Sequence, residues 1–362
     1  FSWLLGVSLL LRTTFTVYFV PYTAMGAELS TDYDQRTTIA KARVTLGWIA
    51  GMALPAIAFT FFFQPQNGID GRLVAENYWY YGILSAAVAG VTALICITGT
   101  RSVIPWLPVA TAKAPFKWTD PYNDIIGVCV NRNFRISIGS SLAFGMSTGA
   151  YATLSLYLAT YFWELSVAQL AGFVVPTAIA TLVAFMVLGP LGRRFDKPTL
   201  MAVFSLVLAS NSVWLFGGRL FDVLPSNGHP MLYSLLLLNT GIAVFSIVCL
   251  QIMSASFAAD ILDELEWQTG KRQEGVIFAV GAFLSKATIG AGALIAGVVI
   301  QWVGIQSESV PGQVPADVLQ SLGWFTLIIV AGFSMIGFGF TTQFRLNRDD
   351  HAKLRKTLDA TS

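Results

Sequence analysis

The chain has few of the residues on which enzyme chemistry and water solubility usually depend. Its 362 residues include three cysteines and two histidines, and charged residues make up only 12%, against about 25% in ordinary soluble domains. Cys96, Cys129 and Cys249 fall in or near different apolar segments, while His229 and His351 lie far apart. We therefore expect no metal site, no cofactor and no enzymatic activity. The net charge of +2 gives no reason to expect a nucleic-acid partner.

Apolar residues are abundant, at 55% of the chain, and the mean hydropathy is +0.64. Stretches of roughly 20 apolar residues, long enough to cross a hydrocarbon core of about 30 Å, recur along the sequence. The pattern predicts an all-α membrane helix bundle with nine visible transmembrane helices. These run approximately over residues 1–25, 44–63, 77–100, 136–163, 168–192, 198–217, 231–257, 275–305 and 322–344.

Most of the lysines and arginines lie in every second connection between the predicted spans. Of the 22, two lie alone inside apolar segments, Arg12 and Lys286, and the connections on one side hold only Arg72 and Arg219. The remainder fall in the alternate connections and the tail, and positive residues mark the cytoplasmic side. We predict a multi-pass protein of the cytoplasmic membrane with a cytoplasmic C-terminus. The alternating set is Arg36, Lys41, Arg43, Arg101, Lys113, Lys117, Arg132, Arg135, Arg193, Arg194, Lys197, Lys271, Arg272, Arg345, Arg348, Lys353, Arg355 and Lys356.

The longest connection, residues 101–135, is rich in proline and suits a linker with one surface turn. Three predicted spans precede it and six follow, which fits helices 4 to 12 of a transporter built from two six-helix halves. The predicted domains are the rest of an N-terminal half (1–100), a central linker (101–135), a C-terminal half (136–344) and a cytoplasmic tail (345–362). The alternative is a nine-span protein of unrelated architecture.

Arg12 and Lys286 are candidate functional residues because of their depth. A lone cation in hydrocarbon costs several kcal/mol, so such residues normally pair or face water. The predicted spans contain no equally deep acid, so the two cations meet either an anionic substrate or partners elsewhere. The alternative is a fixed ion pair that only holds helices together.

Polar side chains form stripes at helical spacing in the first, fourth and seventh predicted spans. In a two-half transporter these three helices are expected to line the cavity. A polar stripe faces either a wet cavity or another helix, because lipid offers a hydroxyl no partner. The alternative is helix packing through small polar residues. With the two cations, the predicted substrate-binding set is Arg12, Thr16, Phe19, Thr148, Tyr151, Asn239, Ser246 and Lys286.

Three motifs lie at the predicted cytoplasmic ends of the spans. GPLGRRFDK, residues 189–197, resembles a degenerate form of the loop signature of the major facilitator superfamily. PYTAMGAELSTDYDQRT, residues 21–37, and ADILDELEWQTGKRQEGVIFAV, residues 259–280, resemble the glycoside-pentoside-hexuronide:cation symporters, the melibiose permease group of that superfamily.

The resemblance implies symport of a sugar, glycoside or hexuronide with Na⁺ or H⁺ by alternating access, in a monomer embedded in the bilayer. Charge clusters that form in one state and break in the other would then act as gates. Sugar-carrying relatives have an acid two positions before the proline that aligns with Pro21, where this chain has Phe19, so cation coupling through this helix is in doubt. The alternatives are a lysophospholipid carrier of the same fold and a non-transporting fragment. The predicted gating set is Glu28, Asp32, Arg36, Arg43, Arg193, Arg194, Asp260, Asp263 and Glu264.

Overall fold

A computed structural model describes residues 2–28, 33–64, 71, 74–106, 120–270, 274–305, 312–346, 350, 353, 354 and 357. The chain divides into two compact units, Phe1–Pro115 (unit 1) and Phe116–Ser362 (unit 2). The division falls inside the predicted linker 101–135. Each unit is described by itself below.

The long elements that the structure describes are all helices, in agreement with the predicted all-α fold. In unit 1 they are α1 (Ser2–Glu28), α2 (Tyr33–Ile57) and α3 (Ala75–Thr100), with a π-helical turn, Ala58–Phe62, after α2. Unit 2 contains a second π-helical turn, Leu158–Phe162, after α5. Its helices are α4 (Asp120–Cys129), α5 (Arg132–Tyr157), α6 (Val167–Gly172), α7 (Val174–Arg194), α8 (Lys197–Leu220), α9 (Pro230–Thr269), α10 (Glu274–Val303) and α11 (Ala316–Thr341).

Seven of the described helices are long and apolar enough to cross a membrane: α1, α3, α7 together with α6, α8, α9, α10 and α11. Two predicted spans do not reach that standard. α2 holds only a shorter apolar stretch, Leu46–Phe62, and α5 carries many Ser, Thr and Gly residues besides Arg132 and Arg135. A long helix covers every predicted span, and the count of nine crossings stays a prediction.

The end of α2 contains a proline and is followed by a π-helical turn. Pro55 lies inside α2, where it has no N–H to donate and its ring crowds the preceding turn. The π-helical turn follows, closed by a 2.9 Å hydrogen bond from the Phe63 nitrogen to the Ala58 carbonyl. Phe63 then packs against Tyr78 of α3, with ring centroids 4.8 Å apart. This aromatic contact joins the end of α2 to the start of α3.

Unit 2 is built around α5, which packs against α10 and α11, while α8 packs against α9 and α11 and α7 packs against α9. Glycines allow α5 and α10 to approach closely. A Cβ added at Gly149 would lie 2.5 Å from the carbonyl oxygen of Ile289, and one at Gly292 would lie 2.5 Å from that of Met146. The backbones of the two helices are therefore in direct contact.

Two elements of unit 2 differ from the sequence prediction. The linker contains a ten-residue helix, α4, longer than the predicted surface turn, and it packs against α5 and α10. Its Val128 is fully buried, so the helix takes part in the packing of unit 2. α9 has 40 residues, or about 60 Å, twice the hydrocarbon thickness of about 30 Å. Its apolar part is predicted over residues 231–257, so the charged C-terminal part extends beyond the membrane core.

Candidate functional site

In unit 1, the predicted substrate residues lie on α1. Arg12 is exposed and lies ten residues into a helix of 27 residues, and the Thr16 hydroxyl donates to the Arg12 carbonyl at 2.7 Å. Phe19 stacks on Phe15 at 5.3 Å and contacts Tyr22 at 6.4 Å. Spacings of four and three residues keep Arg12, Thr16 and Phe19 on one side of α1. This side therefore carries a cation, a hydroxyl and an aromatic ring on successive turns.

In unit 2, three predicted substrate residues are exposed. Lys286 lies near the middle of α10, two residues before buried Thr288, and so on the other side of the helix from the surface that packs on α5. Thr148 is exposed on α5, and Tyr151 is 43% exposed. Packing within unit 2 therefore leaves these three side chains accessible.

The two predicted residues of α9 are buried instead. The Asn239 amide donates to the Asn211 carbonyl at 2.9 Å, and the Asn211 amide donates to the Asn239 carbonyl at 3.0 Å. Ser246 is fully buried and donates to the Ile242 carbonyl at 2.9 Å. These are the bonds of residues that join α8 to α9 or satisfy a hydroxyl within a helix.

The main cluster of charged residues lies at the end of unit 2 where α5, α8 and α10 begin and α7, α9 and α11 end, called the charged end below. Here Lys197, the first residue of α8, donates from Nζ to both carboxylate oxygens of Asp260, at 2.8 and 2.5 Å. Pro198 helps to start α8 at this point. The structure thus joins the ends of α8 and α9 by an ion pair. Lys271 and Arg272, which follow α9 in sequence, lie outside the described residues.

Two further contacts continue along the same side of α9. Asp260, Glu264 and Gln268 are spaced four residues apart and so form one polar ridge. Glu264 Oε2 accepts from Asn133 Nδ2 at 2.9 Å, and Gln268 Oε1 accepts from Asn131 Nδ2 at 3.1 Å. Within the polar ridge, Asp260 therefore bonds to α8, while Glu264 and Gln268 bond to the start of α5.

The predicted sites do not include Asn131, Asn133 or Gln268, and Lys197 was part only of the alternating positive charges and of the GPLGRRFDK motif. A local signal does exist at Asn131, which is an N-cap residue: its Oδ1 accepts from the Phe134 nitrogen at 2.8 Å. Asparagine just before a helix is a recognised start signal. The other contacts join residues far apart in sequence.

The tail also reaches the charged end. The Arg345 backbone nitrogen donates to Asn133 Oδ1 at 3.3 Å, and Phe344 packs on Phe257 of α9 with ring centroids 4.5 Å apart. A cavity of about 370 Å³ lies beside these contacts. Its wall includes Asn133, Glu264, Trp267, Arg345, Asp350 and Lys353.

The remaining predicted gating residues are dispersed. Arg43 and Arg194 are exposed on α2 and at the end of α7, while Asp263 is buried on α9. Asp32 and the side chains of Glu28, Arg36 and Arg193 lie outside the described residues. Within the described ranges, no group of three or more His, Cys, Asp or Glu residues could hold a metal ion. The site of a coupling cation stays a prediction.

Comparison with known proteins identifies the family. A family model for MFS/sugar transport proteins matches residues 1–348. An isoprimeverose transporter of Lactiplantibacillus pentosus is 20% identical over 289 residues, a match that covers 78% of this chain and 55% of that protein. The chain thus spans little more than half the length of this relative. The resemblance to sugar transporters of the major facilitator superfamily is confirmed at the level of this family, as is the prediction of a multi-pass membrane fold. The chain belongs to the family of MFS/sugar transport proteins.

Proposed function

We propose that the protein containing this chain moves a sugar, glycoside or hexuronide across the cytoplasmic membrane by alternating access, coupled to Na⁺ or H⁺. The observation that carries the proposal is the family match over residues 1–348. A relative named for transport of isoprimeverose supports a sugar as the substrate class. The protein works as a monomer in the bilayer, with its charged end and C-terminus in the cytoplasm.

Arg12 and Lys286 contact an acidic group of the substrate in this proposal. Both are deep in their helices and exposed in the structure, and a deep cation needs an anion or water. Thr16, Phe19, Thr148 and Tyr151 supply hydroxyl and ring contacts. Asn239 and Ser246 complete the predicted set, but their observed bonds favour helix packing over substrate contact.

The charged end acts as the cytoplasmic gate. Asp260 and Glu264 are already bonded to Lys197 and Asn133 within unit 2. Gating by these acids therefore requires that the bonds of the polar ridge strengthen in one state and weaken in the other. The predicted partners in residues 28–43 and 193–194 take part in the same rearrangement.

The substrate proposal is tested with the full-length protein in proteoliposomes. Arg12→Gln and Lys286→Gln should each raise the KM for a hexuronate by about 10-fold or more, because a hydrogen bond to a charged group contributes about 1.5–3 kcal/mol. The KM for neutral sugars should change little. Arg101→Gln, at an exposed helix end, is the matched control. Unchanged uptake of every acidic sugar by both variants would remove the two cations from the substrate site.

Cation coupling has its own test. Sugar accumulation should fall when the gradient of the coupling ion, which is either Na⁺ or H⁺, is collapsed. It should persist when only the gradient of the other ion is removed. Accumulation that survives the loss of both gradients would contradict symport with either ion. A reporter fused to the C-terminus should be active only in the cytoplasm, because the alternating basic connections predict that side.

A further inference from the structure

Two buried asparagines connect the start of α5 to the end of α9. Asn131 and Asn133 are 1% and 4% exposed, and they donate to Gln268 and Glu264 at 3.1 and 2.9 Å. Elsewhere α5 packs mainly on α10 and α11, whereas α9 packs mainly on α7 and α8. These two bonds, called the clasp below, therefore join the two groups of helices at the charged end, in addition to the larger contact between α8 and α11.

We propose that Asn131 and Asn133 are positioning residues of the transport cycle. The clasp fixes the cytoplasmic end of α5 against α9, and its opening allows α5 to tilt. Thr148 and Tyr151 lie 15 and 18 residues beyond Asn133 on the same helix, or about 22–27 Å away. A tilt at the clasp therefore changes the direction of the helix that carries the exposed side chains expected to meet substrate. This inference rests on the proposed transport function.

The chemistry of the clasp makes it easier to open than the neighbouring contact between α8 and α9. Each of its two bonds has a neutral amide as donor, and only the Asn133 bond has a carboxylate, that of Glu264, as acceptor. The cavity of about 370 Å³ beside Asn133 and Glu264 gives water access to both groups. A bond between two neutral amides changes an equilibrium by a factor of about 2 to 10, and a bond to a carboxylate changes it by about 10 or more. Lys197 and Asp260 instead form an ion pair, and separating a partly buried pair is more costly. The clasp is thus the weaker of the two links along the polar ridge.

The test measures the sugar KM from both sides of the membrane, with full-length protein in oriented proteoliposomes. Asn133→Ala should move the two KM values in opposite directions by about 3- to 10-fold, because it shifts the balance between inward-facing and outward-facing states. Glu264→Gln keeps an acceptor oxygen for Asn133, so it should shift the two KM values less than Asn133→Ala does. Asn211→Ala removes comparable bonds between α8 and α9 and should leave the ratio of the two KM values unchanged. Combining Asn133→Ala with Glu264→Ala should add little, since both changes remove one interaction.

A second measurement does not depend on sugar transport. Hydrogen exchange of the full-length protein in nanodiscs should quicken in the first two turns of α5 when Asn133 is replaced by Ala, with α8 unchanged. This measurement tests whether the clasp holds the start of α5 even if no sugar is transported. In that case only the proposed function fails. The same KM ratio for Asn133→Ala and Asn211→Ala would overturn the proposal. Unchanged exchange at the start of α5 would overturn it as well.

Discussion

The ion pair between Lys197 and Asp260 should contribute measurably to the stability of unit 2. Its side chains are 28% and 11% exposed, so the acid is the more deeply buried partner. Removing one partner of a buried pair costs about 3–5 kcal/mol, and partial exposure of the lysine reduces this by solvent screening. We expect Lys197→Met to cost about 2 kcal/mol, because it leaves a buried carboxylate. Asp260→Leu should cost about 1 kcal/mol, because the lysine can turn into water.

The assay is thermal unfolding of the purified full-length protein. A loss of about 2 kcal/mol lowers Tm by about 5 °C for a unit of this size. Combining Lys197→Met with Asp260→Leu should recover most of that loss, since an apolar pair of similar volume can replace a buried ion pair. Glu76→Gln, which changes an exposed carboxylate at the start of α3, is the control. The reasoning is refuted if Lys197→Met shifts Tm no more than this control does.

Three further changes test the packing of unit 2. Gly292→Val should prevent folding, seen as loss of the monodisperse peak in size-exclusion chromatography, because its Cβ would lie 2.5 Å from the Met146 carbonyl oxygen; Gly297→Ala, with open space around it, should retain the peak. Asn239→Ala should destabilise the protein by about 1–3 kcal/mol with the sugar KM unchanged, and the opposite pattern would assign Asn239 to the substrate site. Ser147→Ala should cost about 0.5–1.5 kcal/mol in thermal unfolding, because it removes a 3.0 Å bond to Val330 of α11, and no loss would show that this bond is not stabilising.

The sequence was sufficient to predict the helices because their signals are local. The thickness of the bilayer sets the length of the apolar segments, and its two sides set the alternation of positive charge between connections. A long helix covers each predicted span. The same signals do not define helix ends. α9 continues to Thr269, well past the predicted boundary at residue 257, because Asp260 and Glu264 find partners on α8 and α5 beyond the apolar region.

The partners of the charged residues could not be predicted in the same way. Glu264 was identified as a gating candidate, but its partner Asn133 is 131 residues away in sequence, and asparagine carries no charge to draw attention. Asn239 has the same spacing signal as a cavity residue, yet it bonds to α8. Helical periodicity specifies that a polar stripe avoids lipid, and only the packing of neighbouring helices distinguishes a cavity from a contact.

The length of α9 has a mechanical consequence. A rigid helix of 40 residues, about 60 Å long, acts as a lever: a rotation of about 10° about its midpoint displaces each end by about 5 Å. That displacement exceeds the length of a hydrogen bond, about 3 Å. A small rotation inside the bilayer is therefore amplified into the making or breaking of whole contacts at the far end, where Glu264 and Gln268 meet α5.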